Sequence, residues 1–267
     1  MDEWLSRCRG ADIICSDISG LREKYQELKD VFISLPLVGV SFLDKDILNR
    51  NNIRVSNSPG CNKDAVAEWI VGMIINLLRE MPFFIGNDDL PKGKFPKATL
   101  GLMGETVLIL GKGNIGNQVG EICRRLKMDV SFFERGDSLY EKTEGKEVIV
   151  NCLSANETTV GILDKRFFGS LKKNSYFVSV SSNEVYDREA MFAALDDDIL
   201  AGAAIDDGTM DVGNVGDIYY QRLLQHSKIF ATPHIAFNTD VTNAESSRIM
   251  TDNIEAYLAG SPINLIN

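Results

Sequence analysis

The sequence predicts an α/β protein, a doubly wound parallel sheet joined to a second, smaller α/β unit. Three observations lead there. From about residue 105 onward, short apolar runs alternate with amphipathic stretches of helical period, the pattern of a sheet covered by helices on both faces. A glycine-rich turn, Gly111-Lys-Gly-Asn-Ile-Gly116, joins the first of these runs to the first helical stretch. The composition, 44% hydrophobic and 25% charged over 267 residues, is that of a globular chain long enough for one large domain or two small ones.

Taken in order, residues 12–15, 31–34 and 53–56 predict strands, with a helix over 21–29 between the first two. Ser58-Pro59-Gly60 breaks that pattern, and 64–79 follows as one long, unusually apolar helix. Residues 83–105, with Pro91, Pro96 and several glycines, read as a loop or an arm laid on another surface. Strands are then expected at 106–110, 130–133, 147–151, 176–180, 201–205 and 228–231. The first of these is nearly all apolar, as a strand covered on both faces must be. Helical spacing runs through 115–128, on Ile115, Val119, Ile122 and Leu126, and returns at 163–171, 187–197 and 239–258. Six strands with helical crossovers are what a doubly wound sheet requires.

Charge and cysteine content exclude several classes. Lys plus Arg total 28 against 38 for Asp plus Glu, a net charge of −10, which argues against a protein that tracks nucleic-acid phosphates. The longest apolar stretch, 69–78, is half a membrane span, and the first residues carry no signal-peptide core. Five cysteines (Cys8, Cys15, Cys61, Cys123, Cys152) form no CxxC pair, and His226 and His234 are the only histidines, so no zinc site is expected. The chain reads as soluble, reduced and cytoplasmic, without metal or membrane.

The glycine turn carries the first functional signal. Gly111, Gly113 and Gly116 fit GxGxxG directly after a strand and at the start of a helix. The first glycine allows the tight turn, the second lets a pyrophosphate approach the backbone, and the third lets helix and strand pack closely. Glu134 ends the next strand, 18 residues after Gly116, where an acid accepts hydrogen bonds from ribose hydroxyls. A carboxylate there repels a 2′-phosphate, which favours NAD over NADP, although Arg135 is its neighbour. A second signal is Thr232-Pro-His-Ile-Ala236, after the last strand. His234 there is either a packing residue after a proline turn or the group that carries the proton accompanying hydride transfer.

In their order these motifs resemble the D-isomer-specific 2-hydroxyacid dehydrogenase family. Asn57-Ser-Pro-Gly-Cys-Asn62 through Ala65-Val-Ala-Glu68 is similar to the family's N-x-P-G-x-N…VAE segment, and GKGNIG with Glu134 to its cofactor fingerprint. Leu153 to Gly161 resembles its LPLTxxTxG loop, with Ser154 where proline is usual. Gly202-Ala-Ala-Ile-Asp206 resembles its GAALD strand, TPHIA its histidine segment and Gly260-Ser-Pro-Ile-Asn264 its ending. The resemblance implies a Rossmann-type NAD domain over 58–238, including a dimerisation helix and arm at 63–105. It also implies a reduced, flavodoxin-like substrate domain made of 1–57 and 239–267, the family's opening strand and helix having no counterpart after Met1. Gly111, Gly113, Asn114, Ile115 and Gly116 would hold the pyrophosphate and Glu134 the ribose. Leu153, Ser154 and Val180 would line the cofactor, and Asp206 would bond the nicotinamide carboxamide. His234 would be the acid/base, and the backbone of Val38, Gly39 and Val40 would take the carboxylate of a small-molecule substrate. A homodimer is implied as well.

The departures bear on activity. Ser182 stands where the family has a catalytic arginine, and one neutral hydroxyl replaces a charged, bidentate fork. In place of the glutamate-proline pair that orients the histidine the chain reads Asp207-Gly-Thr-Met-Asp211, with Asp211 a shorter substitute. Phe237 replaces a glycine after TPHIA. Two functions follow: an NAD(H)-dependent oxidoreductase acting on a 2-hydroxy or 2-keto acid-like substrate, or an NAD-binding pseudoenzyme whose cofactor state governs dimerisation or partner binding.

Overall fold

The computed structural model describes residues 3–84, 98–208 and 212–267. Asp211 and most of the expected arm, 85–97, lie outside these residues. The chain divides into two compact units, Met1–Asn62 with Asn238–Asn267, and Lys63–Phe237.

The first unit opens with α1 (Glu3–Cys8), β1 (Ile13–Cys15), α2 (Leu21–Lys24), β2 (Val31–Ser34), α3 (Lys45–Arg50) and β3 (Ile53–Ser56). The three strands form a parallel sheet in the order β1-β2-β3. The helix expected over 21–29 breaks after one turn into a 3-10 segment, Tyr25–Glu27. α3 starts where Asp44 accepts hydrogen bonds from the N–H groups of Asp46 (2.8 Å) and Ile47 (3.2 Å), satisfying donors that a helix start leaves open.

The second unit comprises α4 (Lys63–Leu78), α5 (Met81–Phe84), β4 (Thr106–Leu110), α6 (Asn114–Arg125), β5 (Asp129–Phe133), α7 (Leu139–Thr143), β6 (Val148–Asn151), α8 (Lys165–Ser170), β7 (Ser175–Ser179), α9 (Arg188–Asp196), β8 (Leu200–Asp206), α10 (Ile218–Gln225) and β9 (Ile229–Thr232). Its six strands are all parallel, in the order β5-β4-β6-β7-β8-β9. The alternation of side chains explains why both strand faces are apolar. Leu108, Leu110, Ile149, Phe177, Ala203 and Ile205 pack on one layer with Phe167, Phe168 and Leu223. Val107, Ile109, Val148, Val150, Val178 and Ala204 pack on the other with Ile70, Ile74 and Val119. This is the doubly wound sheet expected. The chain turns from β5 on one side of β4 to β6 on the other, so the edge beyond β4 is a topological switch point, where open α/β sheets bind ligands. Aspartate caps begin α8, α9 and α10: Asp164, Asp187 and Asp217 accept from the N–H groups of Phe167, Ala190 and Tyr220.

The last helix, α11 (Asp240–Leu258), belongs to the first unit. Its fully buried Asn253 donates to the Asn57 carbonyl (2.9 Å) and accepts from Asn264 (2.9 Å), and the Ser34 hydroxyl donates to the Met250 carbonyl (3.0 Å). No helix among the described residues is long and apolar enough to cross a membrane.

Candidate active site

Each glycine of the turn meets a different constraint. Gly111 has φ +96, a conformation that side chains resist, and a Cβ there would lie 3.1 Å from the Cys152 carbonyl oxygen. At Gly116 a Cβ would fall 2.0 Å from the Gly111 carbonyl oxygen, so strand and helix close only on glycine. Gly113, at the N-cap of α6, has nothing within 4 Å of its virtual Cβ. The helix carries no acid in its first turn, and its first backbone bond is from Asn117 N–H to the Gly113 carbonyl (3.0 Å). The first N–H groups of a helix have no intrahelical partner and carry the positive end of its dipole, so the start of α6 offers donors of the kind a pyrophosphate takes. Gly116→Ala is expected to destabilise the fold by about 1–3 kcal/mol and to abolish NADH binding, read by thermal unfolding and fluorescence titration. An alanine variant that binds as the parent does would sink this reading of the turn.

Glu134 follows β5 beside that turn. Its carboxylate pairs with the Lys112 ammonium at 2.9 Å, a partner absent from the sequence reading. Its N–H donates to Asp137 (2.9 Å), and that bond, together with the Lys142 ammonium, holds the Asp137 carboxyl below its ordinary value. On the other side of β4, three buried polar residues that the sequence reading also passed over shape the loops at the ends of β6 and β7. Asn151 donates to the Ser179 hydroxyl (3.2 Å) and accepts from the Leu153 N–H (3.2 Å), while the Ser181 hydroxyl donates to the Asn151 carbonyl (3.2 Å). Leu153 and Val180, two of the expected cofactor-lining residues, are thereby fixed at neighbouring strand ends. Ser154 begins the next turn, its carbonyl accepting from Asn156 (3.0 Å) and Thr159 (2.6 Å). The signal for the polar trio was a polar residue closing an otherwise apolar strand.

His234 sits just past β9, at the same carboxyl edge of the sheet. Its backbone is left-handed, φ +54, with its N–H donating to the Thr232 carbonyl at 3.0 Å. Non-glycine residues adopt such a conformation only where the surroundings enforce it. The enforcing group is Asp206, 3% exposed at the end of β8. Its Oδ1 accepts from the Thr232 hydroxyl (2.5 Å) and the Ile235 N–H (2.9 Å), and its Oδ2 from the Ala236 N–H (2.9 Å). Asp206, expected at the nicotinamide, therefore clamps the histidine turn. The imidazole meets the Phe237 ring edge-on, centroids 5.6 Å apart. Asp206→Asn would set an amide NH₂ against one of these donors and is expected to cost about 1–3 kcal/mol, seen as a fall in melting temperature together with turnover. An unchanged melting temperature would refute the clamp.

Ser182 is half-buried after β7. Its hydroxyl accepts from the Glu184 N–H (3.2 Å) and its carbonyl from the Val185 N–H (3.1 Å), a self-contained turn. Arg188, the nearest arginine in sequence, stacks its guanidinium 4.0 Å over the Tyr219 ring. In that layer Tyr219 and Tyr186 share a hydroxyl–hydroxyl bond of 3.0 Å, and burial raises both phenols above their ordinary values. In the first unit, the Val38–Gly39–Val40 loop is held by Asn57, whose side-chain amide donates to the Val38 carbonyl at 2.8 Å. The N–H groups of Val38, Gly39 and Val40 donate to no acceptor among the described residues.

A profile of the D-isomer specific 2-hydroxyacid dehydrogenase NAD binding domain matches residues 71–236. The chain belongs to that family. By this membership it is a nicotinamide-dependent oxidoreductase in class, and the cofactor-sensing pseudoenzyme is not favoured. It is 27% identical over 257 residues to a D-lactate/D-glycerate dehydrogenase of Pediococcus acidilactici, covering 87% of this chain and 77% of that one. It is 26% identical over 216 residues to a D-3-phosphoglycerate dehydrogenase of Haemophilus influenzae, covering 76% of this chain and only 52% of that longer protein. The fold is similar to that of a D-lactate dehydrogenase from Treponema pallidum, with a TM-score of 0.83 at 22% identity over 98% of this chain and 88% of that one.

Proposed function

We propose that the protein interconverts a 2-hydroxy acid and its 2-keto acid with NAD(H), His234 giving or taking the proton. The observation that carries this reading is the clamped His234 turn, on the same sheet edge as an intact glycine turn. Gly111, Gly113, Asn114, Ile115 and Gly116 would hold the pyrophosphate. Glu134 would accept the adenosine ribose hydroxyls, which favours NAD(H) over the 2′-phosphorylated cofactor. When bound, the nicotinamide supplies or accepts the hydride. Leu153, Ser154 and Val180 would flank it. Asp206 has about one acceptor position left on Oδ2 for the carboxamide. The Val38, Gly39 and Val40 N–H groups would take the substrate carboxylate, while Ser182 offers one neutral hydrogen bond where the family resemblance implies a charged arginine. The substrate is accordingly expected to differ from a simple 2-keto acid, or to react slowly. Asp211 remains a candidate for orienting His234.

The test is NADH oxidation by the purified protein against a panel of 2-keto acids. Turnover by the protein, or by its Ser182→Arg variant, on any member supports the reading; silence from both, with NADH bound, overturns it. We also infer a homodimer formed through α4 and α5, where Ile75 and Met81 are exposed. Sedimentation at monomer mass would overturn that.

A further inference from the structure

Lys112 lies inside the glycine turn and faces the acid that the neighbouring strand delivers. Its ammonium nitrogen is 2.9 Å from Glu134 Oε1 and 5.5 Å from the centre of the Phe132 ring. The Arg124 guanidinium is 5.4 Å from the same ring centre, and exposed Arg135 follows Glu134 directly. Asp137, the other carboxylate of this turn, is engaged by the Glu134 N–H and by Lys142 at 3.2 Å. The end of β5 thus sets Lys112 on Glu134, with Arg124 on the ring of the same strand and Arg135 next in sequence, in a chain whose net charge is −10.

Resting on the reading that a nicotinamide dinucleotide binds this turn, we infer that Lys112 sets how strictly the protein distinguishes NADH from NADPH. An acid on the adenosine ribose discriminates against a 2′-phosphate by like-charge repulsion, so its effect depends on the charge being uncompensated. Here an ammonium within hydrogen-bond distance compensates that charge. The same ammonium is a charge-assisted donor to phosphate oxygens. The lysine and glutamate side chains are 44% and 51% exposed, which leaves both free to rotate. With NADH the lysine stays on the carboxylate; with NADPH it turns to the phosphate. The result is a preference for NADH of less than about tenfold, shifting with ionic strength because the pair is solvent-exposed.

Fluorescence titration of the purified protein with NADH and with NADPH tests this. The ratio of the NADPH Kd to the NADH Kd is expected below about tenfold in the wild type and at least about tenfold higher in Lys112→Met, with NADH affinity nearly unchanged. Lys112→Arg, which keeps the charge, should retain the wild-type ratio and shows that the loss in Lys112→Met is electrostatic. A wild-type ratio above about a hundredfold, or a ratio that Lys112→Met leaves unmoved while NADH binds, overturns the role of Lys112 alone. Failure of both nucleotides to bind overturns the dinucleotide reading as well.

Discussion

Replacing His234 with asparagine is expected to lower NADH-linked reduction of the 2-keto substrate by about 10²–10⁴-fold, while NADH affinity stays within about twofold. Asparagine is the informative choice because the residue sits at φ +54, where the backbone strains most side chains but asparagine is comparatively at ease. The turn and its Asp206 clamp then persist, and only the imidazole is lost. Stopped turnover with an unchanged melting temperature separates a chemical role from a structural one. Turnover within about fivefold of the parent would make His234 a packing residue after a proline turn, held against Phe237 at 5.6 Å, and the proton would have to come from elsewhere.

Much of this arrangement is legible in the sequence where a local rule governs it. The run at 106–110 is a strand with the bounds its composition predicts, because every residue needs a covered face. The third glycine of the turn is demanded by a 2.0 Å clash that no other residue escapes. What is not legible is set by partners far apart in the chain. Lys112 and Glu134 are 22 residues apart, and nothing in either segment announces their pairing. Asp206 is visible as an acid at a strand end, but its role depends on N–H groups 29 and 30 residues later, brought alongside by the pairing of β8 with β9. Short helices escape for a different reason. α7 and α10 have five and eight residues, too few for a periodic pattern to rise above the surrounding loops, and their docking on the sheet decides them.

Ser182→Arg is expected to raise kcat/KM for simple 2-keto acids by about 10²-fold, the magnitude associated with a charged donor at developing negative charge. The gain depends on three features of the position. Ser182 follows β7, at the carboxyl edge that also carries the His234 turn, so a longer side chain starts from the correct side of the sheet. Among the described residues its hydroxyl serves the Glu184 N–H of its own turn, a bond to an exposed partner whose loss costs about 1 kcal/mol or less. The nearest native arginine, Arg188, is stacked on Tyr219 and does not already fill the role. Ser182→Lys serves as the companion: it restores charge without the planar fork, and a gain much smaller than that of arginine would show that bidentate geometry matters as well as charge. A parent that already turns over a simple keto acid rapidly, and slows when arginine is introduced, would mean that the serine belongs to a pocket shaped around its substrate. The departure from the family pattern would then be an adaptation for specificity, and the polar trio of Asn151, Ser179 and Ser181 that shapes the adjoining loops would be the next place to look for the groups that read that substrate.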